Sequence, residues 1–481
     1  MCENIINWKY IIVNIVAFSF FMLIIYLTMK NRTTDMTVGD PVKHILLFAL
    51  PALVGNVFQQ VYNIADSIIV GRYVGPDALA AVGSSASITF LFFALCNGIG
   101  SGGGIIVSQF YGAGDDNMTK NCIVNTGFIM LLVPVLFGVT GYLTTPWLLR
   151  VLSTPEDIFA DAAMYVRYMC IGLLFVSLYN YLASMLRALG DSRTPLYFLI
   201  LSTVLNVVLD IVLVYNFKMG IKGAAIATII AQFIATVTCG VYACKTNPYF
   251  KLKKEDFKLS AQMSYKVVRL GVPMSLQFAL ISVSAMAVQK VVNAYGTVVI
   301  AAFTATNRIE QLIHQPYTTL GASLATFCGQ NYGAKKYDRV YMGYKKGLLI
   351  MIVLTSVMFI TMQLFGGAIT SLFVTDEKVI RLGAMGLRIT SWFYPALGLI
   401  YVVRGVLTGV GDAFFALFNG IVEVIGRFTL PILMTAYMGM GKTGIWASAG
   451  VVWVLSGVTA WYRYLTYLHK RISAPSGPSA A

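Results

Sequence analysis

Two carboxylates stand in stretches of the sequence that are otherwise apolar. Asp66 lies in PALVGNVFQQVYNIADSIIV, which runs from Pro51 to Val70, and Asp210 lies in LSTVLNVVLDIVLV. A carboxylate near the middle of a membrane helix costs about 2.5–3.5 kcal/mol on insertion scales, so it is normally paired, solvated in a cavity or protonated. Both acids are therefore candidates for a functional site. The alternative for each is a carboxyl group that only holds two helices together.

Further oxygen donors occur at helical spacing near these acids. Asn206 precedes Asp210 by one helical turn, and Thr228 begins a polar row on the following helix that continues with Gln232. Carboxylate, amide and hydroxyl oxygens suit a hard cation. Two carboxyl groups that lie close together would share one proton, because both cannot ionise cheaply. The predicted site for H⁺ or Na⁺ consists of Asp66, Asn206, Asp210 and Thr228, and the sequence leaves the choice of ion open.

Other polar side chains are predicted to line a substrate cleft. Two amides share the helix face of Asp66, and the apolar run 299–326 in the second half of the chain contains a polar stretch. A lone histidine in such a run is more often a packing residue than a ligand. The residues assigned to the cleft are Gln59, Asn63, Gln232, Asn307, Glu310 and His314.

Two further motifs are assigned structural roles. Glu423 and Arg427 are one helical turn apart and are expected to neutralise each other. The glycine-rich GIGSGGG, from Gly98 to Gly104, lacks the Lys-Ser/Thr pair and the preceding strand of a phosphate-binding loop. It is expected to serve close helix packing or a hinge.

The composition indicates that membrane helices carry these residues. Of the 481 residues, 58% are hydrophobic and 11% are charged, whereas soluble domains carry about 25% charged residues. The apolar runs have the length of a transmembrane helix, about 20 residues. The net charge of +15 is concentrated in short loops, which the positive-inside rule explains better than a nucleic-acid partner does. An all-α integral membrane protein is predicted.

Cysteine and histidine usage argues against a metal or redox enzyme. The seven cysteines stand singly and mostly within apolar runs, and the three histidines are scattered. Neither type forms a spacing typical of a metal site or of a disulfide framework. An enzyme is not expected, and no cofactor is predicted beyond the coupling ion.

Twelve apolar runs define the expected transmembrane helices. They are preceded by the run Tyr10 to Met29, which is interpreted as an extra transmembrane helix in preference to a cleaved signal peptide. The loops on one side hold most of the lysines and arginines, and this places the C-terminus in the cytoplasm. The twelve runs are 44–72, 78–104, 121–145, 160–186, 194–216, 221–244, 265–294, 299–326, 342–373, 382–406, 413–437 and 443–468.

The two halves of the chain are related to each other. At a constant shift of 221 residues, SQFYGAG meets GQNYGAK, and MGIKG meets MGKTG. Six helices per half give a parallel repeat, so two six-helix bundles with a cleft between them are expected. The predicted organisation is an extra helix and linker at 1–35, a first bundle at 36–244, a basic cytoplasmic linker at 245–264, a second bundle at 265–470 and a tail at 471–481.

Several motifs at these spacings resemble those of the MATE (multidrug and toxic compound extrusion) family, in a larger group that also contains flippases of lipid-linked sugars. The motifs are NIADSIIVGRYVGPDALAAVG from Asn63, SQFYGAGD from Ser108, LRALGDSRTP from Leu186, MGIKGAAIAT from Met219 and CGQNYGAKKYDR from Cys328. The resemblance implies a twelve-helix, two-lobed antiporter of the bacterial inner membrane. Asp66, Asn206, Asp210 and Thr228 match the amino-terminal-lobe cation site of its DinF-like branch.

The sequence and this resemblance together favour an exporter of organic cations and amphipathic toxins that is coupled to H⁺ or Na⁺. It is expected to work as a monomer in contact with membrane lipid, without nucleic acid. The second hypothesis is a flippase for a lipid-linked saccharide, which would need several cationic residues in the cleft. Lys290, Arg308 and Arg404 are few for that purpose. A channel is disfavoured because the polar faces of the two halves differ.

Overall fold

The structure is a computed structural model, and it describes residues 33–152 and 154–469. The extra N-terminal helix predicted before residue 36 and the tail at 471–481 lie outside the described residues. Within the described part of the chain every regular element is a helix, as the composition predicts. The fold is thus an all-α membrane fold.

Thirteen α-helices follow one another in the described chain, and three of them continue into a short π-helical turn. The π-helical turns are Ile211–Asn216 after α5, Leu433–Tyr437 after α12 and Tyr464–His469 after α13. The helices are α1 Pro41–Tyr73, α2 Pro76–Gly112, α3 Asp116–Val151, α4 Glu156–Ala188, α5 Arg193–Asp210, α6 Gly220–Thr246, α7 Ala261–Asn293, α8 Thr297–Gly333, α9 Tyr337–Ser371, α10 Glu377–Ser391, α11 Tyr394–Gly409, α12 Ala413–Ile432 and α13 Thr443–Arg463.

Eleven of the twelve predicted apolar runs lie, to within two residues, inside one of these helices or inside a helix and the π-helical turn that continues it. The run 382–406 is the exception in shape, because it is divided between α10 and α11, which meet at a bend of 51°. In the described residues nine helices are long and apolar enough to cross a membrane, or ten if the bent pair is one span. The helices α7 and α8 are also of spanning length, with 33 and 37 residues, but they are more polar.

The described residues divide into two compact units. The first contains Val54–Gly104 and Asp116–Val267, so it holds most of α1 and α2, all of α3 to α6, and the start of α7. In this unit α4 packs against α3 and α6, and α5 packs against α6. Glycines permit close helix packing here: a methyl group built on Gly103 would lie 3.1 Å from Cβ of Thr126. This contact confirms the packing role predicted for the glycine-rich motif.

The second unit contains Asp35–Leu53, Ile105–Asp115 and the chain from residue 268 onward. Its core is built from large side chains that are almost completely buried, on α8, α9, α11 and α13 together with the start of α1. Examples are Tyr317, Phe327, Tyr394, Trp453 and Met36. The start of α1 and the end of α2 therefore belong to the same compact unit as the later helices.

The basic linker, residues 245–264, is ordered against the first unit. It contains two short 3₁₀ turns, Pro248–Phe250 and Lys254–Asp256. The buried side chain of Asn125 on α3 donates to the carbonyl of Lys258 at 3.1 Å and accepts from the backbone N–H of Ser260 at 2.9 Å. One buried amide thus fixes the linker just before α7 begins.

Candidate functional site

The two acids that the sequence singles out meet in the first unit. Asp66 lies in the second half of α1 and Asp210 is the last residue of α5. Their side chains lie close enough to interact with each other. Asp210 is fully buried and Asp66 is half-buried. Two carboxyl groups that lie this close can share one proton, because both cannot ionise cheaply.

The amide and the hydroxyl of the predicted site are also in contact. Asn206 Nδ2 donates to Thr228 Oγ1 at 3.1 Å, which joins α5 to α6. Both side chains are buried, and Asn206 lies one turn before Asp210 on the same helix. The structure therefore joins Asn206 to Thr228 by a hydrogen bond and places Asp66 near Asp210.

The backbone changes character directly after Asp210. The α-helical ladder of α5 gives way to the π-helical turn Ile211–Asn216. A second π-helical turn, Leu433–Tyr437, follows α12, and there the position equivalent to Asp210 is occupied by Pro431. Single π-helical turns within α-helices frequently occur at functional sites. The repeat thus keeps the backbone feature in both halves, but the acid only in the first.

The chemistry available at this place is that of oxygen donors. Two carboxyl groups, one amide and one hydroxyl can accommodate a proton between the acids, or a small hard cation among the oxygens. Among the described residues no group of three or more His, Cys, Asp or Glu side chains could hold a metal ion. The arrangement is suited to reversible binding of a monovalent cation.

The weaker predicted positions of the first unit lie on α1 and α6, the helices that carry Asp66 and Thr228. Gln59 is half-buried, and Asn63 is exposed one turn before Asp66. Gln232 lies one turn after Thr228, and its Oε1 atom is buried with no hydrogen-bond partner among the described residues. Gln232 therefore offers a buried acceptor atom one helical turn from Thr228.

The predicted polar stretch of α8 lies in the second unit. Asn307 is exposed, whereas Glu310 and His314 are half-buried. Glu310 Oε1 and His314 Nε2 are buried without a hydrogen-bond partner in the part of the chain that the structure describes. The His314 ring lies edge-on to the rings of Tyr401 and Trp453, with centroids 6.3 and 5.6 Å away. These contacts give His314 an aromatic packing environment.

An ion pair of the second unit differs in part from the sequence prediction. Glu423 Oε1 accepts from Arg404 Nη2 at 2.7 Å, whereas the predicted partner, Arg427, is 3.9 Å from Glu423 Oε2. The same Arg404 nitrogen also donates to Asn419 Oδ1 at 2.5 Å. The helical spacing of Glu423 and Arg427 correctly predicted their contact, which is longer than the contact of Glu423 with Arg404. It missed the shorter one, because Arg404 lies on α11.

Comparison with known proteins agrees with this architecture. The MatE family matches residues 51–212 and 273–432. The probable multidrug resistance protein YpnP of Bacillus subtilis (strain 168) is 31% identical over 440 residues, which cover 90% of this chain and 97% of that protein. The probable multidrug resistance protein YoeA of the same organism is 30% identical over 433 residues, covering 88% of this chain and 93% of the relative.

A solved structure has the same fold. It is described as the outward-facing conformation of a multidrug resistance MATE family transporter of the MOP superfamily. It superposes with a TM-score of 0.86 at 22% identity and covers 94% of this chain and 100% of its own. Family match, relatives and fold agree, and the chain belongs to the MATE family, which is a family of membrane transporters and not of enzymes.

Proposed function

We propose that the chain exports organic cations and amphipathic toxins in exchange for H⁺ or Na⁺. The observation that carries this proposal is the contact between Asp66 and Asp210, next to the bonded pair of Asn206 and Thr228. Relatives at about 30% identity are named as probable multidrug resistance proteins, which supports the substrate class. The four residues resemble, in sequence, the amino-terminal-lobe site of the DinF-like branch, and we take this resemblance to support coupling in the first unit.

The coupling follows from charge at the acid pair. When the site has lost its ion, the carboxyl pair carries additional negative charge in a place of low dielectric and attracts an organic cation. When H⁺ or Na⁺ binds, that attraction weakens and the organic cation is released. One-for-one exchange of monovalent cations moves no net charge, so the concentration gradient of the ion drives it. A tenfold ion gradient supplies about 1.4 kcal/mol, enough for a concentration ratio of the organic cation of about 10.

Substrate contacts are assigned to the polar side chains that accompany the ion site. In the first unit these are Gln59, Asn63 and Gln232, whose amides can bond to a polar group of the substrate. In the second unit the polar stretch of α8 supplies Asn307, Glu310 and His314.

The chain is proposed to act as a monomer in the inner membrane of a bacterium. The basic loops, including the linker, then face the cytoplasm, and so does the C-terminus. Membrane lipid is the surrounding partner, and the surplus of positive charge is explained by these loops. No nucleic acid is involved in the proposed function.

Transport in liposomes tests the proposal. Purified protein is reconstituted, a fluorescent organic cation is loaded, and a pH gradient or a Na⁺ gradient is imposed separately. Flux driven by one gradient, and lost in Asp66→Asn, is expected and would name the ion. The matched control is Asp77→Asn, which removes the same charge from an exposed position at the start of α2. Equal flux of Asp66→Asn and Asp77→Asn would reject the role of the acid pair. Flux under neither gradient would favour a lipid-linked substrate.

A further inference from the structure

The ends of α2 and α8 cross at repeat-equivalent positions in the second unit. A methyl group built on Gly112 would lie 2.6 Å from Cα of Gln330, and one built on Gly333 would lie 2.8 Å from Cα of Gln109. Gly112 and Gly333, like Gln109 and Gln330, are related by the repeat shift of 221 residues. Gly112 therefore contacts the backbone of Gln330, and Gly333 contacts the backbone of Gln109, so the two contacts are reciprocal.

The same crossing brings one further equivalent pair face to face. Ser108 and Gly329 are also related by the repeat shift, and a methyl group built on Gly329 would lie 3.2 Å from Cβ of Ser108. Ser108 is 1% exposed and Gln330 is fully buried. Equivalent residues can meet each other only near the axis that relates the two halves. The crossing thus lies close to the pseudo-twofold axis of the repeat.

The two glutamines extend the contact to other elements of the unit. Gln109 Nε2 donates to the carbonyl of Gly409, at the end of α11, at 2.8 Å. Gln330 Oε1 accepts from the backbone N–H of Met36 at 2.9 Å, in the segment that leads into α1. Each glutamine therefore fixes a further backbone segment to the crossing.

Two basic side chains bind the segment that leads into α1, residues 36–40. Arg339 Nη1 and Nη2 donate to the carbonyls of Gly39 and Met36, both at 3.0 Å, and Lys336 Nζ donates to the carbonyl of Thr37 at 3.0 Å. The repeat-equivalent positions of Arg339 and Lys336 are occupied by Met118 and Asp115, which cannot donate such bonds. Only the second half can make this attachment.

We propose that the crossing of α2 with α8 is the gate that closes the transporter at the end marked as cytoplasmic by its basic loops, with Gly112 and Gly333 as its closing residues. The proposal rests on the transport function of the family. Alternating access moves one repeat against the other, and α2 belongs to the first repeat whereas α8 belongs to the second. Opening at this end therefore requires the last turns of α2 to leave α8.

Gly112 and Gly333 are required because the backbones of α2 and α8 approach too closely for a side chain to fit between them. Carbon atoms pack at about 3.5–4.0 Å, so an alanine at either position pushes the helices apart by about 1 Å. Overpacking of this kind is expected to shift the equilibrium roughly tenfold or more toward the open crossing. Gly83 on α2 is the matched control, because nothing lies within 4 Å of a methyl group built on it.

Cross-linking tests the gate. Two native cysteines are first removed by Cys2→Ser and Cys244→Ser. Cysteines are then introduced directly after the two glycines, by Ala113→Cys and Ala334→Cys, and a short bifunctional maleimide is added. A severalfold lower cross-linking yield is expected when Gly112→Ala or Gly333→Ala is added, with no change for Gly83→Ala. An unchanged yield in both alanine variants would overturn the role of the glycines.

The cross-link also tests gating without any glycine variant, which covers the case that an alanine variant does not fold. Transport by the linked protein is expected to fall to background, while the unlinked double-cysteine protein transports normally. Linked protein that transports at the unlinked rate would overturn the gate. If the unlinked protein transports none of the tested compounds, the result counts against the proposed export. The cross-linking yields of the alanine variants would still decide whether the glycines hold the crossing closed.

Discussion

Removal of the Thr228 hydroxyl is predicted to weaken ion binding without disturbing the fold. Thr228 Oγ1 accepts from Asn206 Nδ2 at 3.1 Å, and the two side chains are 7% and 1% exposed. Valine has nearly the same shape, so Thr228→Val removes one oxygen donor and one hydrogen bond in a place that excludes most water. The net value of such a bond is about 1 kcal/mol, which corresponds to an ion concentration for half-maximal transport that is about fivefold higher.

The assay is transport in liposomes as a function of the concentration of the coupling ion. Thr228→Ser is the matched control, because serine keeps the hydroxyl, and its ion dependence is expected to stay close to that of the original protein. The maximal rate of Thr228→Val at saturating ion is expected to be retained, since the acid pair is intact. If the valine and serine variants have the same ion dependence, the hydroxyl is not part of the ion site and Thr228 has only a packing role.

Two further predictions concern contacts that stabilise the fold. Arg404→Met leaves the Glu423 carboxylate without its closest cation and is expected to lower the free energy of unfolding by about 3 kcal/mol. Adding Glu423→Gln should recover most of that loss in thermal unfolding in detergent, and no recovery would show that the pair is not the cause. Asn125→Ala removes the bonds to the linker and should speed its cleavage by trypsin. Asn121→Ala, which loses one bond to Lys258, should have a smaller effect, and equal cleavage of both variants would refute the docking role of Asn125.

Helices are the part of this protein that the sequence predicts best. A long apolar run in a membrane protein must satisfy its backbone hydrogen bonds within itself, so run and helix coincide in eleven of the twelve cases. The bend between α10 and α11 was not predicted, although Pro395 follows it directly. No pattern of side chains around Asp210 predicts the π-helical turn that follows it.

Contacts between helices are less predictable than the helices themselves. Asn206 and Asp210 were expected on one face because they are one turn apart, but the approach of Asp66 depends on how α1 packs against α5. The short contact of Glu423 with Arg404 was missed for the same reason. Arg339 and Lys336 bind the segment before α1 mainly through backbone carbonyls, which every residue carries, so no pattern of residue types indicates these bonds. The repeat shift is the one signal that could have identified Gly112 and Gly333 as partners.

Ion release on substrate binding tests the central claim most directly. Calorimetric titration of the purified protein with tetraphenylphosphonium, in buffers of different ionisation enthalpy and with or without Na⁺, measures the protons or Na⁺ ions exchanged for each bound cation. About one ion released per bound cation is predicted, with release lost in Asp66→Asn and kept in Asp77→Asn. Binding of the organic cation with no ion released, or equal release in both variants, would contradict competition at the pair of Asp66 and Asp210.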